Sequence, residues 1–113
     1  MYKSASCSCC PQWIEYLEKE GFSVKSIDTD DLAPHKERAG VSAKESSCHT
    51  AFVDGYALEG HVPAPAIRKM LRERPSIKGL TVPGMVGNSP GMGPMDGKLK
   101  TLEIGTGRVY STD

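Results

Sequence analysis

The sequence has no long apolar run, no excess of charge of either sign and few aromatic residues. Its 113 residues include 14 basic and 14 acidic side chains, and 38% are hydrophobic. No stretch approaches the roughly 20 apolar residues that a helix needs to cross a bilayer, so membrane insertion is not expected. Balanced charge without a basic run argues against nucleic acid as the main partner. A chain of this length fits one domain with a modest core, which a bound metal would help to stabilise.

Glycine and proline are abundant, with 12 and 8 copies, and they divide the chain into short elements. Pro11 and Pro65 suit the first turn of a helix, where the missing N–H costs nothing. Asp54-Gly55 between two apolar runs is typical of a two-residue hairpin turn. We predict, in order, a strand at residues 2–3, a helix over 11–21, a strand over 22–28, a helix capped by Thr29 or Asp30 that runs through Arg38, a hairpin of residues 51–53 and 56–58, and a helix over 65–75. This β-α-β-α-β-β-α order predicts an α/β, thioredoxin-like fold.

Beyond Pro75 the composition changes. Residues 83–97 are too rich in glycine and proline for regular structure. Residues 98–111 predict a second hairpin that turns at residues 105–107. We therefore expect one domain over residues 1–113, with a core over about 1–75, a methionine-bearing loop over 83–97 and a C-terminal hairpin over 98–111.

Four cysteines carry the strongest chemical signal. Three of them crowd the loop before the first predicted helix, whose unpaired N–H groups and positive dipole end favour thiolates. The fourth stands just before the first strand of the hairpin. A thioredoxin-like topology returns that loop to the first one. The sequence therefore predicts a three-plus-one metal site made of Cys7, Cys9, Cys10 and Cys48.

Thiolates suit Zn(II), Cu(I) or an iron–sulfur cluster. Structural zinc sites usually have two separated pairs of ligands, whereas three ligands here crowd one loop. The adjacent Cys9 and Cys10 can bridge neighbouring ions more readily than they grip a single one, which favours a multinuclear Cu(I) site over zinc. The candidate accessory ligands are His49, His61, Met85, Met92 and Met95. Core packing is the alternative for the methionines, and a structural role is the alternative for the histidines.

Three other interpretations remain open on the residues alone. The four cysteines could form a disulfide staple with spare thiols. A thiol–disulfide oxidoreductase would use Cys7 as nucleophile and Cys10 as resolving thiol. Such enzymes place a cis-proline before the hairpin strand, where this chain has Cys48-His49-Thr50. A structural zinc domain that binds a partner protein is the third.

A set of short motifs, in order along the chain, resembles the CopG family of bacterial copper-resistance proteins. The motifs are Tyr2-Lys3-Ser4, Cys7-Ser8-Cys9-Cys10, Asp28-Thr29-Asp30-Asp31-Leu32, Ser47-Cys48-His49-Thr50, Glu59-Gly60-His61-Val62-Pro63-Ala64 and Val82-Pro83-Gly84-Met85. The resemblance implies a thioredoxin-like fold and a multinuclear, cysteine-bridged copper site at Cys7, Cys9, Cys10 and Cys48 that interconverts copper oxidation states. It also implies a periplasmic location, with other copper-resistance proteins of the cell envelope as partners. From the residues alone we expect no secretion leader, because Met1–Lys3 run almost directly into the cysteine cluster, so the periplasmic expectation comes from the resemblance.

Overall fold

The computed structural model describes residues 1–3, 10–29, 31–41, 49–82, 97 and 99–113, with Cys10 described by its backbone alone. The elements in chain order are β1 (Tyr2–Lys3), α1 (Cys10–Lys19), β2 (Ile27–Asp28), α2 (Ala33–Ala39), β3 (His49–Val53), β4 (Tyr56–Glu59), α3 (Ala64–Glu73), β5 (Gly79–Thr81), β6 (Lys100–Glu103) and β7 (Val109–Thr112). The described part of the chain is therefore mixed α/β, with three helices and seven strands. Its longest helices have ten residues, and none is long and apolar enough to cross a membrane.

The strands form one mixed sheet in the order β2-β1-β3-β4-β5-β6-β7. Two neighbouring pairs, β1 with β2 and β4 with β5, are parallel, and the other neighbours are antiparallel. A parallel pair needs a crossover connection. Helix α1 provides it for the first pair and α3 for the second. As a result β1, β2, β4 and β5 all end, and β3 and β6 begin, at the same end of the sheet.

The main core lies between one face of the sheet and helices α1 and α3. Apolar side chains recur at helical spacing on both helices, as expected for helices that bury one face. The fully or nearly fully buried residues of this core include Trp13, Leu17, Leu58, Ile67, Met70 and Leu80. Burial of Trp13 and Met70 agrees with the apolar helical pattern around each. Neighbouring residues of β4 point to opposite faces, and Ala57 packs with Ala39 of α2. Helix α2 therefore covers the other face.

A buried polar network fastens α2 to the sheet. Glu59 and Thr50 are register partners on β4 and β3, and both are fully buried. The Thr50 hydroxyl donates to the Glu59 carboxylate at 2.5 Å, and the Lys36 ammonium of α2 pairs with the same carboxylate. Because a buried carboxylate needs such partners, this network constrains where α2 can lie.

The two-residue turn was predicted correctly from the sequence. Asp54 and Gly55 have φ values of 48° and 86°, and this pair of positive φ angles matches the twist of the flanking strands. The hairpin it closes is longer than predicted, since β3 extends back to His49 and β4 forward to Glu59. The C-terminal hairpin of β6 and β7 is also present.

The strand predicted over residues 22–28 is wrong in length, since only Ile27–Asp28 form a strand. In the part of the chain that the structure describes, its neighbour β1 offers Tyr2 and Lys3 as partners. Among the described residues, 22–26 have no paired strand beside them, although Phe22 and Val24 pack against the core. The alternation of apolar and polar residues in this segment therefore reflects the partial burial of Phe22 and Val24 and not the pairing of a strand.

Two other boundaries differ from the prediction. Helix α2 begins at Ala33 rather than near residue 30, because the Asp31 carboxylate accepts the Ala33 amide proton at 3.1 Å and Pro34 suits the first turn. Strand β5 was not predicted. It has only three residues, and it is a strand because β4 and β6 lie on either side of it.

We expect Lys36→Met to lower the free energy of unfolding by about 3 kcal/mol, because it leaves the buried Glu59 carboxylate without its cation. Urea denaturation at neutral pH measures this loss. Lys19→Met is the matched control, since the Lys19–Glu15 pair lies on the exposed surface of α1 and such pairs contribute about 0–1 kcal/mol. Equal losses in the two variants would contradict a stabilising role for the buried pair.

Candidate metal centre

The segments that carry the candidate ligands join the fold at one end of the sheet. Lys3, the last residue of β1, is the register partner of His49, the first residue of β3. The Gly60 amide, just after β4, donates to the His49 carbonyl at 3.1 Å. The Val82 amide, just after β5, donates to the Glu59 carbonyl at 3.0 Å. The chain therefore leaves the sheet after β1, β4 and β5 and enters it at β3 at neighbouring positions on the same end.

The predicted cysteine ligands stand next to these junctions in the sequence. Cys7 and Cys9 lie between Lys3 and α1, and Cys48 directly precedes His49. Helix α1 begins at Cys10, one residue earlier than predicted. The other predicted cysteines and methionines, Cys7, Cys9, Cys48, Met85, Met92 and Met95, lie outside the described residues, as does the side chain of Cys10. Among the side chains that the structure describes, no group of three or more Cys, His, Asp or Glu could hold a metal ion.

The structure brings the two predicted histidines together. The rings of His49 and His61 lie 5.2 Å apart between centroids. The indole of Trp13 lies 4.4 Å from His49 and 6.4 Å from His61, and its Nε1–H donates to the Val62 carbonyl at 3.0 Å. All three rings are almost completely buried, with 0–3% of each residue exposed. We call these three residues the aromatic cluster.

Burial determines the charge state of His49. Loss of solvent, together with the nearby His61, lowers the pKa of its imidazole to about 3, although a hydrogen bond to the Gly60 backbone acts in the opposite direction. His49 is therefore neutral at physiological pH. A neutral imidazole keeps one nitrogen lone pair, which is the form that binds metals.

Sequence reasoning missed the buried network under α2. Thr50 follows His49, and because successive residues of a strand point to opposite faces, the network and the aromatic cluster lie on opposite sides of the sheet. The available signal was Glu59, an acidic residue directly after the apolar run of residues 56–58 and before the second predicted histidine. A charged residue at an inward position of a strand indicates a buried partner. The partner, Lys36, lies far away in sequence and could not be identified in advance.

Comparisons with known proteins give a consistent result. A family model described as "Protein of unknown function, DUF411" matches residues 45–92. No curated protein matches the chain significantly. A solved structure described as "Copper resistance protein copG- Form 1" is 41% identical over 99% of this chain and 93% of that one, with a TM-score of 0.87. Another, "Copper resistance protein copG- Form 2", is 39% identical over 99% and 94%, with a TM-score of 0.86. Identity at this level over nearly the whole of both chains shows a common family as well as a common fold.

We expect the metal-free, reduced protein to lose stability as the pH falls from 7 to 5. The unfolded His49 takes up a proton near pH 6.5, whereas the folded one does so only at about 3. The neutral His49 ring therefore contributes its full stabilisation above pH 6.5. This stabilisation is lost as the pH falls, and the loss reaches about 2 kcal/mol by pH 5. Urea denaturation across this range measures the slope.

His49→Phe keeps an aromatic ring beside Trp13 and removes the titrating group, so its stability should depend on pH less steeply by this amount. Met70→Leu, an equally buried substitution without a titrating group, should keep the wild-type slope. Parallel curves for wild type and His49→Phe would rule out His49 as the source of the pH dependence.

Proposed function

We propose that this chain, which belongs to the CopG family of copper-resistance proteins, binds copper as Cu(I) through the thiolates of Cys7, Cys9, Cys10 and Cys48. In this proposal the thiolates bridge several copper ions at the end of the sheet where β1 and β4 end and β3 begins. The protein serves copper resistance by holding the ions there. The observation that carries the proposal is that the described neighbours of the cysteine-bearing segments meet at that end: Lys3 pairs with His49, and Trp13 near the start of α1 packs on His49.

The register of β1 and β3 supports the three-plus-one arrangement. Lys3 and His49 are paired across an antiparallel ladder, where opposite Cα atoms lie about 5 Å apart. Cys48 is one residue from His49, so its Cα is about 3.8 Å from that anchor. Cys7 is four residues from Lys3 and three from Cys10. All four thiols are therefore tied by short lengths of chain to anchors in one region.

The chemistry of the surroundings supports copper over zinc. The start of α1, a helix of ten residues, favours negative charge on a thiol at that position. Thiolates and thioethers are the soft ligands that Cu(I) prefers. His49 and His61 lie beside the same junctions and supply imidazoles, that of His49 in its neutral form, rather than further negative charge.

The methionine-bearing loop fits the same proposal. It leaves the sheet after Val82 and returns at Leu99, directly before β6, and both junctions belong to the end of the sheet already described. Met85, Met92 and Met95 lie within this connection and are candidate thioether ligands. We propose that the loop shields the copper ions from solvent.

A redox role is a natural extension. Two thiolates that join as one disulfide release two electrons, which reduce two Cu(II) ions to two Cu(I) ions. We propose that the site can interconvert copper oxidation states by this route, within a thioredoxin-like fold and in the periplasm. Copper ions, together with other copper-resistance proteins of the cell envelope, are then the partners.

Anaerobic titration of the reduced protein with Cu(I), with bound metal counted, tests the proposal. Wild type should bind several Cu(I) ions tightly and cooperatively, because shared thiolates couple the ions. Cys48→Ser should lose cooperative loading, since it removes the ligand contributed by the second segment. Ser8→Ala is the matched control, because it alters the first cysteine segment without removing a thiol.

Two results would count against this function. Binding of Cu(I) no tighter than Zn(II) would favour the structural zinc domain. Insulin reduction that is lost in Cys7→Ser and retained in Cys48→Ser would favour the thiol–disulfide oxidoreductase.

A further inference from the structure

Trp13 occupies a special position relative to the proposed copper site. It is the only tryptophan of the chain, it lies three residues after Cys10 on α1, and 1% of it is exposed. Three residues correspond to almost one helical turn, so Trp13 stands on the same side of the helix as its first residue. The least exposed of the described side chains of α1 is thus also close in sequence to a candidate ligand.

The indole contacts two other segments that flank candidate ligands. Its ring packs on the ring of His49, with 4.4 Å between centroids and 34° between planes. Its Nε1–H donates to the Val62 carbonyl at 3.0 Å in the interior. His49 adjoins Cys48, and Val62 adjoins His61. One rigid side chain therefore joins α1, the start of β3 and the loop after β4.

We propose that Trp13 is a positioning residue for the copper site. Its ring fixes the orientation of the His49 imidazole and, through it, the start of β3. Its N–H fixes the loop that carries His61. A rigid indole with two side-chain torsions holds this arrangement at a small entropic cost, whereas a flexible side chain would have to be ordered by the metal itself. This role rests on the proposed copper function, and its structural part can be tested without metal.

Tyr16, one turn further along α1, provides a close comparison. Its hydroxyl accepts the backbone N–H of Ala64, the first residue of α3, at 3.0 Å. Trp13 and Tyr16 thus each make one hydrogen bond between α1 and residues 62–64. Trp13 alone of the two also packs on a histidine ring of the aromatic cluster, with the two rings tilted. Substitutions of Trp13 and of Tyr16 can therefore be compared to distinguish two roles: general attachment of α1 to the rest of the fold, and positioning of the candidate ligands.

The first experiment compares Cu(I) affinity in wild type, Trp13→Phe, Trp13→Leu and Tyr16→Phe, by competition with a Cu(I) chelator under conditions where urea denaturation shows each protein to be folded. Trp13→Phe keeps a ring but loses the hydrogen bond, and should bind about tenfold more weakly, as expected for loss of a partner that orients ligands. Trp13→Leu loses both contacts and should bind about 100-fold more weakly. Tyr16→Phe should stay within about threefold of wild type. Equal weakening in Trp13→Phe and Tyr16→Phe would overturn the positioning role.

The second readout uses metal-free, reduced protein. Ring-proton NMR signals of His49 and His61 should shift in Trp13→Leu and stay in place in Tyr16→Phe. His35 of α2, whose ring stacks on that of Tyr2 with 3.7 Å between centroids, is the internal reference and should not shift in either variant. Unmoved His49 and His61 signals in Trp13→Leu would overturn the proposal. If wild type fails to bind Cu(I), the proposed function fails, while these signals still decide whether Trp13 orients the two histidines.

Discussion

The antiparallel pairing of β1 with β3 is the constraint on which the rest of the structure depends. Within the described residues it contains two register pairs, Tyr2 with Thr50 and Lys3 with His49, and it joins the β1-α1-β2 unit to the rest of the sheet. A ladder this short is weak by itself. Side chains around it supply the additional attachment. Trp13 of α1 packs on His49, and an ion pair of 2.6 Å joins Lys3 to Asp28 of β2.

The two faces of the sheet use different chemistry at this point. On the side of α1, aromatic and imidazole rings fill the interior. On the side of α2, a buried carboxylate is held by an ammonium and a hydroxyl. Consecutive residues His49 and Thr50 each belong to one of these environments. The start of β3 is therefore fixed from both sides, and so is the point at which the segment with Cys48 enters the sheet.

This construction suits the proposed metal site, whose ligand-bearing segments adjoin it in the sequence. Binding residues are often carried by loops that a rigid scaffold positions. Here the junctions of the loops are rigid: they are paired in the sheet, buried, or both. Such anchors restrict the directions in which short segments can leave. A cluster of shared thiolates benefits from this restriction, because each ligand that is already near its position need not be ordered when the ions bind.

Much of this protein was determined by local sequence. Asp54-Gly55 dictates its turn because few residue pairs accept positive φ at both positions, and the apolar spacing around Trp13 and Met70 dictates two helices with buried faces. The cysteine spacing by itself indicates a soft-metal site, and the ordered motifs indicate the family. These features depend on neighbours within a few residues.

Other features were decided only by tertiary structure. Residues 22–26 alternate like a strand yet lack a paired partner among the described residues, while Gly79–Thr81 become a strand because β4 and β6 flank them. Lys36 pairs with Glu59, which lies 23 positions further along the chain. Trp13 packs on His49, which lies 36 positions further along. Strand pairing and burial are properties of residues that meet only after the chain has folded. The sequence specifies which groups can interact, and the packing of distant segments decides which of them do.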